Sequence, residues 1–434
     1  MRRAGLAVVL AGAVLGVTLS LVLMLPGPAA PAGAGALLFL LVFLLWPWTV
    51  LPVGILGGAL AGAFLGGGDI RVYVAAHLLL LATGGVALAV RHGLRLDTRP
   101  RRTPAHTGML CVVGLTVVGA GYGLAIGNLP TQVLVAAYQI AILPVYFFLA
   151  IHTLTTRRRL VAAGLLYLAA VVGLTAVSMA VPGRHGGLLA LLAAPMLMWV
   201  AGRTRGLRRA TAVVLAAFLC ADVLLASYRG IWLAAGVTFL VMLVLGRRSV
   251  RLGMAATAAA GILVAGLLAL HPGVRERAQE IGDGLRQSAG YRGPESIVGL
   301  GVFAERPLLG AGLGQSTTDI YLADFASTDV GPVYHAFYVT LLANVGLVGL
   351  GLVLWPILRS IRAGLASRDG PGVPFAALCC GFLVAAMFAA PTDGHWELGL
   401  LPALTLLTSP WRATGARRPA PARAAWRPRE VVWR

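Results

Sequence analysis

The 434-residue chain contains no lysine, so all 35 of its basic residues are arginines. Charge is scarce as a whole: 12% of the residues are charged, against about 25% in an ordinary soluble domain. Acidic residues number only 15, which gives a formal net charge of +20. The hydrophobic share is 59% and the mean hydropathy is +0.86. This composition argues against a soluble globular domain and is typical of a membrane protein.

Cysteine is also rare, and the four cysteines all lie inside apolar runs, at Cys111, Cys220, Cys379 and Cys380. None has a partner in an aqueous loop, and their spacing fits no zinc site. We therefore expect neither a disulfide framework nor a structural metal.

Long apolar runs fill most of the chain, and many approach the roughly 20 residues that cross a bilayer core of about 30 Å. They predict an all-α fold, a polytopic transmembrane helical bundle of about 12–14 spans with one large extracytoplasmic loop. Residues 34–66 are either two short spans that turn at Pro47-Trp48 or a re-entrant hairpin. The runs lie approximately at residues 5–25, 34–49, 52–66, 72–90, 107–127, 132–151, 160–181, 187–201, 209–226, 231–246, 252–270, 334–357, 373–391 and 396–409.

The arginines concentrate in the short segments between these runs. A positive balance of this size also occurs in nucleic-acid-binding proteins. Here, with the N-terminus inside and the spans alternating, most of the 35 arginines fall on the inner side, as the positive-inside rule requires. We therefore predict a multi-pass protein of the cytoplasmic (inner) membrane with both termini in the cytoplasm. Its surroundings are then the lipid bilayer, and we expect no nucleic-acid partner.

This map divides the chain into five segments. The last is rich in Pro, Ala and Arg, and we expect it to rest on anionic lipid. The segments are N-terminal transmembrane helices at 1–208, transmembrane helices with an outer arginine turn at 209–270, an extracytoplasmic loop at 271–333, C-terminal transmembrane helices at 334–410 and a basic cytoplasmic tail at 411–434.

One arginine, Arg229 in the motif Ser227-Tyr228-Arg229-Gly230, lies on a very short outer turn between two spans. A guanidinium at headgroup depth is suited to a lipid diphosphate, because it pairs bidentately with phosphate oxygens. The alternative is an ordinary snorkelling arginine. Asp222 precedes it by seven residues, and two helical turns would place both on one face. Ionisable groups within spans are functional candidates, and the plainer alternative is a structural partner for an arginine.

The outer loop and the span after it supply further candidates. Within the stretch 307–314, the glycines, including Gly312 and Gly314, resemble a phosphate-cradling turn, but no strand and helix of a dinucleotide fold surround them. A tight turn is the simpler alternative. His335 opens the next span, where the helix N-terminus disfavours added positive charge. We therefore expect a neutral imidazole that can accept a proton near pH 7.

Taken in order, these elements resemble the O-antigen ligase superfamily, which includes related polysaccharide polymerases. The resemblance covers roughly residues 209–410. It departs from the family pattern at Ala336, where the family usually has Asn, Ser or Gln, and at Leu350, where it often has Thr. The matching elements are the Ser-x-Arg-Gly turn at 227–230, Arg292, the stretch 307–314, and His335 with Gly346 and Gly349.

The resemblance implies a metal-independent inverting glycosyltransferase without a cofactor. Its donor is a glycan on undecaprenyl diphosphate, and its acceptor is a hydroxyl on a lipid, on a second carrier-linked glycan or on a protein. Arg229 and Arg292 would bind the diphosphate, and His335 would act as the base on the acceptor hydroxyl. No Asp-x-Asp pair occurs, which disfavours a nucleotide-sugar site with a divalent metal. Supporting candidates are Asp222, Tyr291, Glu295, Gly312 and Gly314.

Three functions remain open. A ligase moves a finished glycan to a final acceptor, and a polymerase joins repeat units on the carrier; both need the same arginines and histidine. A transporter or flippase of lipid-linked sugars would usually place charged residues along a path at mid-membrane. The predicted map instead gathers charge at the outer face, which favours an enzyme.

The predicted topology can be tested with single cysteines in a background where all four native cysteines are alanine. Ser288→Cys lies in the predicted outer loop and Ser367→Cys in a predicted inner one. A membrane-impermeant thiol reagent added to intact cells should label only Ser288→Cys, and permeabilised cells should show both. Labelling of Ser367→Cys in intact cells would show that the protein has the opposite orientation in the membrane.

Overall fold

The computed structural model places most of the chain in helices. It describes residues 29–64, 70–94, 96, 102–180, 187–226, 229–268, 289–315, 317–322, 325–330, 334, 336–366, 370–388 and 395–409. In these residues lie the helices α1 (Ala29–Leu45), α2 (Val50–Phe64), α3 (Ile70–Gly93), α4 (His106–Ala125), α5 (Pro130–Thr153), α6 (Arg157–Ala180), α7 (Gly187–Ala201), α8 (Gly206–Leu225), α9 (Arg229–Leu245), α10 (Arg248–Leu268), α11 (Ala289–Glu305), α12 (Phe337–Leu365), α13 (Gly372–Ala385) and α14 (Glu397–Thr408). They also contain the strands β1 (Thr317–Leu322) and β2 (Phe325–Val330).

The helices follow the predicted apolar runs closely. α7 has the predicted bounds, and α8 begins three residues before its predicted run. Within the described part, four helices are long and apolar enough to cross a membrane: α4, α5, α6 as far as Val177, and α12. The predicted all-α membrane fold is confirmed, whereas the number of spans stays a prediction. The predicted first span, 5–25, and the tail, 411–434, lie outside the described residues.

The region 34–66 contains two helices and a turn. A short 3-10 helix at Pro47–Thr49 separates α1, of 17 residues, from α2, of 15 residues. The hydroxyl of Thr49 donates to the carbonyl of Trp46 at 2.7 Å, which closes this turn. The chain therefore turns at Pro47-Trp48, whereas the choice between two short spans and a re-entrant hairpin stays a prediction.

Glycines allow the helices of the C-terminal half to approach closely. A Cβ added at Gly381 in α13 would collide with the carbonyl oxygen of Ala234 in α9. One added at Gly399 in α14 would collide with the carbonyl oxygen of Leu143 in α5. Because lipid tails are as apolar as the helices, such close packing is a main source of helix association in a membrane.

Helix α12 is broken at Gly346, and the break determines how the outer loop is held. Gly346 has a φ of 64° and a ψ of −167°, a combination that is essentially restricted to glycine. A break in a spanning helix releases backbone groups that lipid cannot satisfy. Residues 307–314, which we call the glycine loop, lie against this break.

The glycine loop supplies the hydrogen bonds that α12 loses. Leu347 N–H donates to the Pro307 carbonyl at 2.9 Å, and the next amide of α12 donates to the next loop carbonyl at 3.2 Å. In return, Ala311 N–H donates to the Ala343 carbonyl at 2.8 Å, and the next loop amide donates to the next α12 carbonyl at 3.1 Å. Four bonds to the loop therefore replace the helical bonds around Gly346.

Two asparagines hold the far end of the glycine loop. The amide N–H of Gly314 donates to the side-chain oxygen of Asn344 at 3.2 Å. The side-chain nitrogen of Asn128 donates to the carbonyl of Leu313 at 2.9 Å. That carbonyl lies so close to α4 that a Cβ added at Gly123 would collide with it. The loop is thus wedged between α4, the start of α5 and α12.

The predicted extracytoplasmic loop, 271–333, contains more regular structure than the sequence indicated. Its helix α11 packs on the beginning of α12, because a Cβ added at Gly299 would collide with the side chain of Val339. Strands β1 and β2 pair antiparallel, with Leu322 opposite Phe325 at the turn. The fold is therefore all-α in its bundle, with one small hairpin in the loop.

Replacement of Gly346 by alanine tests the role of the break. We expect Gly346→Ala to lower the free energy of unfolding by about 1–3 kcal/mol, because alanine is strained in this backbone conformation and its Cβ would collide with the Leu308 carbonyl. Thermal unfolding in detergent measures the loss. The matched control is Gly351→Ala in the same helix, where a Cβ meets nothing within 4 Å. An equal effect of the two variants would contradict this account.

Candidate functional site

Several helix ends meet at one end of the bundle. The N–H of Phe337, the first residue of α12, donates to the carbonyl of Ala386, just after α13, at 2.9 Å. A Cβ added at Gly230, the second residue of α9, would lie 3.8 Å from the carbonyl oxygen of Ala385. The arginine turn and the segment that carries the predicted catalytic histidine are therefore neighbours at the C-terminal end of α13. We call this region the loop end of the bundle.

Arg229 is the first residue of α9 and is half-buried at the loop end. Its Nε is buried and has no hydrogen-bond partner among the described residues. The N-terminus of a helix carries partial positive charge and unpaired N–H groups, which favour an anion. The indole N–H of Trp232 donates to the carbonyl of Val223 at 2.9 Å and ties α9 to the end of α8. The start of α9 thus presents a guanidinium whose buried Nε lacks a partner among the described residues.

Asp222 does not have the geometry that the sequence predicted. α8 ends at Leu225, and Ala226 is extended, with a φ of −68° and a ψ of 133°. No continuous helix therefore joins Asp222 to Arg229, and the expected two-turn spacing is wrong. Asp222 is fully buried, and the hydroxyl of Thr175 in α6 donates to its carboxylate at 3.2 Å. This contact links α6 to α8.

His335 lies outside the described residues, but both of its neighbours are described and are held by one side chain. The N–H of Tyr334 donates to Thr340 Oγ1 at 3.0 Å. The Thr340 hydroxyl in turn lies 3.1 Å from the Tyr334 carbonyl and 3.2 Å from the Ala336 carbonyl, to which it donates. Thr340 is buried. It therefore fixes the backbone on each side of the histidine.

Three further candidates, Tyr291, Arg292 and Glu295, belong to α11. Their side chains lie outside the described part. Arg292 precedes Gly299 by seven residues, and Gly299 is the point where α11 touches Tyr334. At about 1.5 Å of rise per residue, the helix carries Arg292 roughly two turns away from this contact. α11 thus lies next to the start of α12.

Gly312 and Gly314 have positive φ angles of 84° and 86° and are buried. Their amides donate to α12, to the carbonyl and the side-chain oxygen of Asn344. Amides that are engaged in this way do not cradle a phosphate, so the observed geometry is that of a tight, packed turn. Nearby, Arg306 is exposed and donates to the hydroxyl of Tyr122 at 3.2 Å.

A histidine and a carboxylate that the sequence reasoning passed over also lie at the loop end. His395 Nδ1 is 2.7 Å from Glu397 Oε1, and each residue is only 5% exposed. The His395 ring meets the ring of Phe337 edge to face, with 4.8 Å between centroids. The pattern His-x-Glu at the start of the last apolar run was the available signal, because two ionisable groups rarely border a span without a role.

Thr340→Val tests the hold on the segment around His335. The valine leaves the Tyr334 N–H without its acceptor, at a cost of about 1–3 kcal/mol for an unsatisfied buried donor. We expect amide hydrogen exchange at 334–340 to become about tenfold faster or more. Thr116→Val is the control, because Thr116 is also buried but donates only within its own helix, to Val112. Unchanged exchange in Thr340→Val would contradict the assignment.

Comparison with known proteins gives one match. Residues 214–354 match the family model described as O-Antigen ligase. No curated protein and no solved structure matches the chain. The matched segment contains Arg229, Arg292 and His335, and it supports an O-antigen ligase-like or polymerase-like function, in general terms, for a multi-pass membrane protein. The predicted resemblance is thereby confirmed: residues 214–354 are similar to the O-antigen ligase family.

Proposed function

We propose that the protein transfers a glycan from an undecaprenyl-diphosphate carrier to an acceptor hydroxyl at the outer face of the cytoplasmic membrane. The observation that carries this proposal is the half-buried Arg229, whose Nε lacks a partner among the described residues. It lies at a helix N-terminus, beside the segment that holds His335. The family match over residues 214–354 supports the same reaction class.

The chemistry needs charge neutralisation at the leaving group. The bond between the anomeric carbon and the carrier diphosphate breaks, and the diphosphate leaves with the electron pair. Arg229 and Arg292 stabilise the charge that develops there, as preorganised cations do. Such a leaving group needs no protonation, so neither an acid nor a metal is required in this proposal.

The acceptor side needs a base. His335 takes the proton of the acceptor hydroxyl while the oxygen attacks the anomeric carbon from the face opposite the diphosphate. The product therefore has inverted anomeric configuration. Thr340 would serve this step indirectly, because it fixes both neighbours of His335.

The supporting candidates take lesser parts in this proposal. Asp222 joins α6 to α8 through Thr175 and so steadies the helix that precedes Arg229. Gly312 and Gly314 pack the glycine loop against α12. Tyr291 and Glu295 lie within one turn of Arg292 in α11, and we propose that they border the donor site.

A polymerase that joins repeat units on the carrier is the second candidate, because it would use the same arginines and histidine. A transporter or flippase of lipid-linked sugars has less support. The buried arginine, acidic and histidine residues of the described part are Arg91, Asp222, His395 and Glu397. Arg91 lies in the last turn of α3, and the other three lie near the loop end. They do not form a path through the middle of the bundle.

His335→Ala and Arg292→Ala should each abolish function in a gene-deletion strain complemented with the variant. Loss of a general base costs about 10²–10⁴-fold in rate, which is enough to remove the polysaccharide ladder on a gel. His92→Ala and Arg286→Ala are the matched controls, because the sequence gives neither a site role. All four proteins should be present in the membrane in equal amounts.

The gel also separates the candidate functions. Single repeats that accumulate on the carrier indicate a polymerase, and long chains that stay carrier-linked indicate a ligase. Full function of His335→Ala, or donor glycan that accumulates on the cytoplasmic leaflet, would refute the proposed enzyme.

A further inference from the structure

The pair formed by His395 and Glu397 is built as a unit at the start of α14. Glu397 accepts at 2.7 Å from the Nδ1 side of the ring, and both residues are 95% buried, since each is 5% exposed. Between them, Trp396 packs on Tyr146 of α5, with 5.2 Å between ring centroids. The segment that carries the pair is thereby packed against α5.

The second ring nitrogen of His395, Nε2, has no hydrogen-bond partner among the described residues. A carboxylate at Nδ1 keeps the ring proton on that nitrogen, which leaves Nε2 of a neutral ring as a hydrogen-bond acceptor. This Nε2 atom is also buried. Burial of a polar atom without a hydrogen bond costs the full desolvation of that atom, so native proteins rarely leave one without a partner.

The pair lies beside the proposed reaction site. The His395 ring touches the ring of Phe337, which follows His335 by two residues. Phe337 in turn is hydrogen-bonded to Ala386 at the end of α13, beside the arginine turn. One packed group of residues therefore connects His395 to both predicted parts of the site.

The chemistry of the pair selects the kind of group that Nε2 would bind. The carboxylate of Glu397 lies next to the ring, so an anion such as the carrier diphosphate would be repelled. A hydroxyl is neutral and donates one hydrogen bond, which suits the lone pair. No group of three metal-binding side chains occurs among the described residues, so a cation is not the favoured occupant.

We propose that His395 is a substrate-contacting residue, whose Nε2 accepts a hydrogen bond from a sugar hydroxyl of the lipid-linked glycan, and that Glu397 is its positioning residue. This inference rests on the proposed glycan transfer. It divides the work between two histidines: His335 takes the proton in the chemical step, and His395 binds the sugar. The two roles have different kinetic signatures, because lost ground-state binding raises KM and a lost base lowers kcat.

The experiment uses the full-length protein in nanodiscs and the carrier-linked glycan fraction extracted from the deletion strain. Initial rates of glycan transfer are measured against the concentration of that fraction. His395→Asn keeps a donor near the Nδ1 position and removes Nε2, whereas His395→Gln returns a polar amide near the Nε2 position. We expect His395→Asn to raise the half-saturating concentration about tenfold, as loss of one good hydrogen bond does, with kcat within about twofold. His395→Gln should recover part of the loss.

Glu397 supplies the matched test of positioning. Glu397→Gln retains an acceptor oxygen for Nδ1–H and should raise the half-saturating concentration less than Glu397→Leu, which removes it. Thermal unfolding of every variant shows whether the bundle is intact. The readout that separates positioning from a structural role is the split between KM and kcat.

Three results would overturn the inference. Unchanged saturation in His395→Asn means that water fills the place beside Nε2. A parallel fall of kcat and thermal stability in all His395 and Glu397 variants means that the pair is only structural. In both cases the defect of His335→Ala would remain, so the proposed function would survive. Wild-type protein that is folded and transfers no glycan would remove the proposed function and this inference together.

Discussion

The need to satisfy every backbone hydrogen bond within a membrane is the constraint on which the rest of this structure depends. Helix α12 breaks at Gly346, and lipid offers no partner for the amides and carbonyls that the break releases. The glycine loop, 307–314, enters the bundle and pairs with them in both directions. The positive φ angles of its glycines are the geometric condition for this pairing. The glycine loop and the break at Gly346, which are separate in the sequence, therefore form one hydrogen-bonded unit.

The hydrogen bonds between the glycine loop and α12 also position the candidate site. They fix the first part of α12, where Thr340 holds the residues on each side of His335. The start of α12 is in turn bonded to the end of α13, which borders the turn of Arg229. The chain thus builds a frame from helix ends, which the proposed electrostatic stabilisation of a leaving diphosphate would require. The pair of His395 and Glu397 completes that frame from the side of α14.

Local features of this protein could be predicted from the sequence, and long-range ones could not. Apolar runs predicted the helices well, α7 to the residue, because length and composition alone decide what suits a bilayer. The glycines of the loop leave both a phosphate-cradling turn and a tight turn open, because the carbonyls that accept from their amides lie some thirty residues later in the sequence. Helical spacing puts Asp222 on one face with Arg229, but that spacing holds only within one continuous helix, and α8 ends at Leu225.

The most direct test of the central claim is a mass balance of the reaction in proteoliposomes that contain the purified protein and the carrier-linked glycan fraction. The account predicts that wild-type protein releases one undecaprenyl diphosphate for each glycan transferred, that the new glycosidic bond has inverted configuration, and that His335→Ala does neither. Glycan that crosses to the other leaflet while still attached to its carrier, with no release of undecaprenyl diphosphate, would contradict the account and identify a transporter.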